Sequence, residues 1–279
     1  MSVLPRVEPT SAQEREMEEA NSPLDRVAMA DVIDLALWAG QLLMQNGAES
    51  QRVLETVRTI GTGLGCDSAD VFVSSNAISV TYSSGGDFRT KIRGVTSGGV
   101  DMTIVAALSH LAHRVSEGKF DRQKVRAELE RISTMPRHYN RWLTAAAVGL
   151  AGAAFSRLLG GDWPVFGVTL VAAAAGMLLR QTLTRRHFNV LLIVVITAFV
   201  IGLLVGVANL FQFSPHPELA VAAAVLLLVP GIPFVNAVED LIKGHISLGL
   251  ARGTMGALII FAIALGLILA MALTGVTGV

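Results

Sequence analysis

The stretch from Leu226 to His245, LLLVPGIPFVNAVEDLIKGH, carries the side chains best placed for chemistry. It opens as membrane-grade hydrocarbon, takes Pro230 and Pro233 around Gly231, and then turns amide, acidic and basic. Each proline removes a backbone donor and disrupts the preceding turn, and the glycine permits unusual dihedrals. In hydrocarbon, irregular backbone persists only inside protein or beside a water-filled cavity, because each unpaired group costs several kcal/mol. Transporters use such interruptions to aim helix ends and free carbonyls at a substrate or ion. Asn236 offers a donor and acceptors. Asp240 and Lys243 fall i,i+3 on a resumed helix, where the carboxylate is expected to pair with the ammonium. The competing reading ends the span at Pro230 and leaves Glu239 and Asp240 in water beyond it.

The N-terminal half offers weaker constellations. Glu49 and Arg52 sit i,i+3 on a helix, as a binding pair or as a surface ion pair worth a few tenths of a kcal/mol. His110 and His113 share a helix face at metal-ligand spacing, but without a third ligand in view the spacing favours ordinary packing. Cys66 has no evident base partner, which a nucleophile needs within hydrogen-bond reach. As the single cysteine it excludes an internal disulfide and a cysteine-based metal site, and it fits a reducing compartment. GLGCDS follows a helix and does not read as a strand–loop–helix phosphate cradle, and the lack of a Walker-type loop argues against direct ATP use. Ser74, Ser75 and Asn76 read as a polar strand edge suited to meeting another subunit. No nucleophile–base set emerges, so the chain is not expected to be an enzyme, to hold a cofactor or metal, or to bind nucleic acid.

The elements that must hold these residues follow from the distribution of charge. Residues 1–141 carry 16 of the 22 Lys/Arg and 18 of the 22 Asp/Glu, leaving six basic and four acidic side chains for the remaining 138 residues. Ten charges cannot cover a water-soluble domain of that size, since charged side chains almost never bury without partners. Five segments approach the roughly 20 apolar residues that a span needs. They are 142–159, 164–179, 190–210, 219 to about 235, and 254–273, nearly all rich in Gly and Ala, which lets helices pack closely in lipid. Arg137, Arg141, Arg180, Arg185, Arg186, Lys243 and Arg252 fall in loops on one side, which the positive-inside rule makes cytoplasmic. Only Arg157, near the outer end of the first span, departs from it. The predicted setting is a cytoplasmic membrane crossed several times, with the N-terminus inside and the C-terminus outside.

Upstream, residues 1–30 are polar, lack the apolar core of a signal peptide, and read as a disordered tail ending at a helix cap near Asn21 or Ser22, with Pro23 in the first turn. Helical periodicity flanks NGAES, where Asn46-Gly47 ends one helix and the next begins at about Ala48 with Glu49 in its first turn. ADVFVSS and AISVTYSS alternate as strands and GGD turns the chain into FRTKIRG. Helices at about 99–117 and 121–134 complete a small α+β cytoplasmic domain over 31–135. The predicted fold is this domain followed by an all-α transmembrane bundle of five helices over 136–279.

The run VPGIPFVNAVEDLIKGHISLGLARG resembles the signature of the threonine/serine exporter family. GQLLMQNGAES, continuing through CDSADVFVSSNAISVTY, resembles that family's cytoplasmic domain. By this resemblance Pro230, Gly231, Asn236, Asp240, Gly244, Gly249 and Arg252 match the membrane motif, and Gly47, Glu49 and Arg52 the cytoplasmic one. Full-length members carry two membrane halves of about ten spans. Five spans are similar to the split branch, described as succinate exporter subunits, in which a second, smaller membrane protein supplies the other half. The resemblance implies a secondary exporter subunit for a small carboxylate or for threonine and serine, completed by that partner or by a second copy. In that reading the break at Pro230–Pro233 and Asn236 orient the substrate, Arg252 or Arg157 supplies countercharge, and Asp240 takes up a proton or pairs with Lys243. The alternatives are a membrane-anchored cytoplasmic hydrolase and a metabolite-sensing module.

Overall fold

The structure, a computed structural model, describes residues 23–96, 98–135, 139–211 and 216–274. It divides into two compact units. The first holds the described residues up to Met135 together with Asn236–Ala251, and the second holds those from 139 to Val235 and from Arg252 onward. The return of Asn236–Ala251 to the first unit has no counterpart in the sequence reading, which places that stretch with the bundle.

The first unit contains α1 (Arg26–Gln45), α2 (Ser50–Gly63), β1 (Ser68–Val73), β2 (Ala77–Ser84), β3 (Asp87–Gly94), α3 (Met102–Ser116) and α4 (Arg122–Ser133). The strands form an antiparallel sheet in the order β1-β2-β3. Gly85 and Gly86, with φ of 58° and 88°, make the two-residue turn that lets Ser84 pair with Asp87. Residues 74–76, expected as a strand edge, instead form a tight turn in which the Ser74 amide donates to the Ala77 carbonyl at 2.9 Å. The first helix is capped by Asp25, whose carboxylate accepts from the Ala28 amide at 2.6 Å. Pro23 therefore precedes the helix rather than opening it, and the expected caps Asn21 and Ser22 lie outside the described residues. α1 is apolar on nearly every face because it is the centre of this unit: Val32, Ile33, Ala36 and Leu37 are fully buried.

The second unit contains α5 (Arg141–Leu158), α6 (Trp163–Arg185), α7 (Val190–Asn209) and α8 (Pro217–Val225), which tightens into a 3-10 turn at Leu226–Leu228. α9 (Gly231–Ile242) and α10 (Ile246–Thr274) each have residues in both units. Asn140, Asp162 and Asn189 cap α5, α6 and α7 through their side-chain oxygens. Small residues set the helix spacing. A Cβ on Gly149 of α5 would stand 2.8 Å from the Leu170 carbonyl of α6, so the two backbones touch there.

Among the described residues four helices, α1, α6, α7 and α10, are long and apolar enough to cross a membrane. The pair Pro217–Leu228 and Gly231–Ile242, bent by 60°, makes a fifth if it is one span. α5, expected as the first span, is not among them, because Arg141, Trp142 and Arg157 dilute its short apolar run. α1 passes the same test although its apolar surface is spent inside the first unit. A helix that is hydrophobic all round suits either a protein core or a bilayer, and composition alone does not separate the two.

Candidate functional site

In the first unit, two segments about 190 residues apart in sequence close on one another. α1 ends at Asn46 and the chain reverses at Gly47, whose φ is 84°. The Gly47 and Ala48 amides return to the carbonyls of Met44 and Leu43, a hydrogen-bond pair that terminates helices on a left-handed glycine. The Gly47 carbonyl then accepts from Asn236 Nδ2 at 2.9 Å. α9 ends by the same device: Gly244 has φ 85°, and the Gly244 and His245 amides return to Leu241 and Asp240.

Asp240 is fully buried and supplies what α2 lacks. The N-cap residue of that helix, Glu49, makes no side-chain capping bond. The first amides of a helix have no intrahelical partners and carry together roughly half a positive charge. The Asp240 carboxylate meets them, accepting from the Ser50 amide at 3.3 Å and from the Ser50 hydroxyl. Glu49 is left free for Lys243, whose ammonium lies 2.9 Å from Glu49 and 2.7 Å from Glu239. Those two carboxylates, Glu239 foremost, push the lysine above its ordinary range. The expected Asp240–Lys243 pair is thus replaced. Lys243 turns to Glu239 one helical turn before it and across to Glu49, while Asp240 caps α2. Arg52 stands 3.7 Å from Glu49, the i,i+3 ion pair that the spacing implied. Gly249 lies against α9, where a Cβ would come 2.8 Å from the Ala237 carbonyl.

In the second unit the break has a clear construction. Val229 is extended, Pro230 is buried, and the Phe234 amide donates to the Pro230 carbonyl at 3.2 Å, so Pro230 stands just before the first turn of α9. Gly231 opens that turn with open space around its Cα. Pro233 falls within the same turn, where an amide hydrogen would find no intrahelical partner. The carbonyl of Leu227, freed by the break, accepts from Arg180 Nη1 at 3.0 Å. The sequence reading assigned Arg180 to a loop because it ended the second span at Leu179, whereas α6 continues to Arg185. Arg157, the other intramembrane candidate, donates to the Gly161 carbonyl and lies 4.8 Å over the Trp163 ring. It closes the α5–α6 turn, about 25 Å along α6 from Arg180 at 1.5 Å per residue. Arg252 is half-buried in α10. Thr169 of α6 is fully buried, and its hydroxyl has no hydrogen-bond partner among the described residues.

Other candidates stand apart from these sites. His113 faces Glu117 at 3.6 Å on its own helix. Cys66 is buried, and that burial, with Asp67 beside it, pushes its thiol up to about 11. A polar cleft of about 460 Å³ opens along α1, lined by Asp34, Leu35, Trp38, Gln41, Arg93 and Arg126. It was not anticipated from sequence.

Both segments lie inside a family match. Residues 34–274 fit the family model described as "Putative threonine/serine exporter". The chain belongs to the threonine/serine exporter family. Within it, the chain is 37% identical over 255 residues to the Klebsiella aerogenes protein named "Probable succinate transporter subunit YjjP", covering 91% of this chain and 98% of that protein. An Escherichia coli K12 protein of the same name is 37% identical over 248 residues, 88% of this chain and 96% of that one. The Mycobacterium tuberculosis "Probable threonine/serine exporter" is 24% identical over 233 residues, 82% of this chain but 44% of that protein. No solved structure matches. Family membership and the apolar helices make this exporter-family chain a multi-pass membrane protein and a transporter rather than an enzyme.

Proposed function

We propose that this chain is one subunit of an inner-membrane secondary exporter for small carboxylates, completed by a second membrane subunit. The observation that carries this reading is the broken helix pair with a guanidinium on the freed Leu227 carbonyl, because an interrupted span with a cation beside it suits a small anion. The subunit name of the relatives matched along nearly their whole length supports the partner, as does the 44% coverage of the longer exporter. In this reading α5 crosses the bilayer as well, despite the charges at its ends, so that five crossings leave the N-terminus and the α+β unit cytoplasmic and the C-terminus outside. The contacts of Asn236, Asp240 and Lys243 with Gly47, Ser50 and Glu49 hold the later part of α9 within the first unit, and the break at Pro230, Gly231 and Pro233 belongs to the second. Gly244, Gly249 and Arg252 belong to the same working segment. Arg157 closes the α5–α6 turn and is no longer assigned to the substrate.

The test is efflux of preloaded succinate and threonine from cells lacking native exporters, with the chain expressed alone and with a companion membrane subunit. Succinate efflux that requires the companion is the expected result. Equal efflux from the chain alone would replace the companion with a second copy, and no efflux despite inserted protein would remove the reading. A sensing role for the α+β unit is favoured by the cleft beside Trp38. It predicts saturable metabolite binding by the full chain that Arg126→Ala and Arg93→Ala weaken.

A further inference from the structure

We infer that Arg180 is the residue that holds a carboxylate of the exported anion. The inference rests on the export reading and names its binding residue. Arg180 lies within α6, five residues from the end of a helix apolar enough to span a membrane. A guanidinium stays protonated under all ordinary conditions and presents five N–H donors. The hydrogen bond described for Arg180 uses one nitrogen, on the Leu227 carbonyl. That bond answers the carbonyl freed by the break and brings no negative charge to the guanidinium.

The acidic side chains beyond Arg141 are engaged elsewhere. Asp162 caps the opposite end of α6, Glu218 faces His216 at 3.1 Å, Glu239 holds Lys243, and Asp240 holds Ser50. No ion pair among the described residues includes Arg180. An arginine half-buried in an apolar bundle is costly unless an anion meets it, and its planar fork matches a carboxylate with two parallel hydrogen bonds. Anchored by one arm to the break, the fork has its remaining donors pre-oriented, which reduces the ordering cost when the ligand arrives.

The experiment compares the wild-type chain with Arg180→Lys and Arg180→Gln, each co-expressed with the companion subunit. It measures efflux of succinate and of lactate, membrane abundance, co-purification of the two subunits, and the succinate-induced thermal shift of the purified complex. The expected result is normal abundance and assembly, a KM for succinate raised about tenfold in Arg180→Lys, and a loss of at least about a hundredfold in kcat/KM in Arg180→Gln. The thermal shift should disappear in Arg180→Gln. Succinate export by that variant at wild-type KM overturns the inference and leaves the export reading standing. Failure of both variants to accumulate, or loss of co-purification, also overturns it, because Arg180 would then be a structural or intersubunit group. If the wild-type complex exports no carboxylate, both readings fall together.

Discussion

The Asp240–Ser50 contact shows how one carboxylate can replace a missing local cap. A charge-assisted bond to a buried partner is worth about 1.5–3 kcal/mol, so Asp240→Ala should lower stability by that order. A double-mutant cycle of Ser50→Ala with Asp240→Asn, read by thermal unfolding in detergent, should return a coupling of about 1–2 kcal/mol. Simple additivity would show that the two side chains do not depend on one another. Cys66 gives a pH prediction. Its thiol is raised to about 11 in the folded chain, so the native state holds that proton more tightly than the unfolded chain does. The resulting stability is complete below the ordinary thiol range and is lost as pH rises towards about 11. Unfolding midpoints should therefore decline across that alkaline window in the wild type and decline less in Cys66→Ala. Iodoacetamide at pH 7 should label Cys66 slowly until the chain unfolds. Sequence reading singled out Asn236 and Asp240 because amide and acid groups sit oddly beside hydrocarbon, and Glu49 for its i,i+3 spacing to Arg52 and its match to the cytoplasmic motif. It could not pair Asp240 with Ser50, since no local spacing encodes a contact across 190 residues. It missed Arg180 because the apolar count stops at Leu179 while the helix does not.

At the scale of elements, α1 and α9 are stopped by glycines in the left-handed region, Gly47 and Gly244. Alanine at either should cost about 1–2 kcal/mol, the penalty of a Cβ in that conformation. Gly47→Ala should be the worse of the two, since its Cβ would also lie 3.0 Å from the Val100 side chain, while Gly244 has open space. A ranking in the opposite order by thermal unfolding would remove the packing argument. Pro233 lies in the first turn of α9, where proline forfeits no hydrogen bond, so Pro233→Ala should change stability by no more than about 0.5 kcal/mol. A large loss would assign the proline to the break itself. The strands, the Gly85–Gly86 turn and the helices over residues 102–116 and 122–133 were all legible, because alternation and periodicity are local signals. The status of α5 was not, because its Gly- and Ala-rich run reads as a span until Arg141, Trp142 and Arg157 are counted with it.

For the molecule as a whole, the decisive feature is that Asn236–Ala251 completes the unit formed by the N-terminal residues. A chain cut after Met135 would leave the α2 terminus without Asp240 and the Gly47 carbonyl without Asn236. Its purified α+β fragment should therefore unfold at lower temperature than the same fragment fused through a short linker to residues 236–251. Equal melting temperatures would make the returning segment dispensable for that unit. The same interleaving governs biosynthesis. At 5–20 residues per second, the returning segment leaves the ribosome roughly ten seconds after Met135. Through that interval the nascent α+β unit waits with one helix uncapped, while α6 and α7 enter the bilayer. Its maturation is timed by membrane insertion, and a chain whose spans fail to insert is left holding an unfinished domain, which quality-control proteases can read.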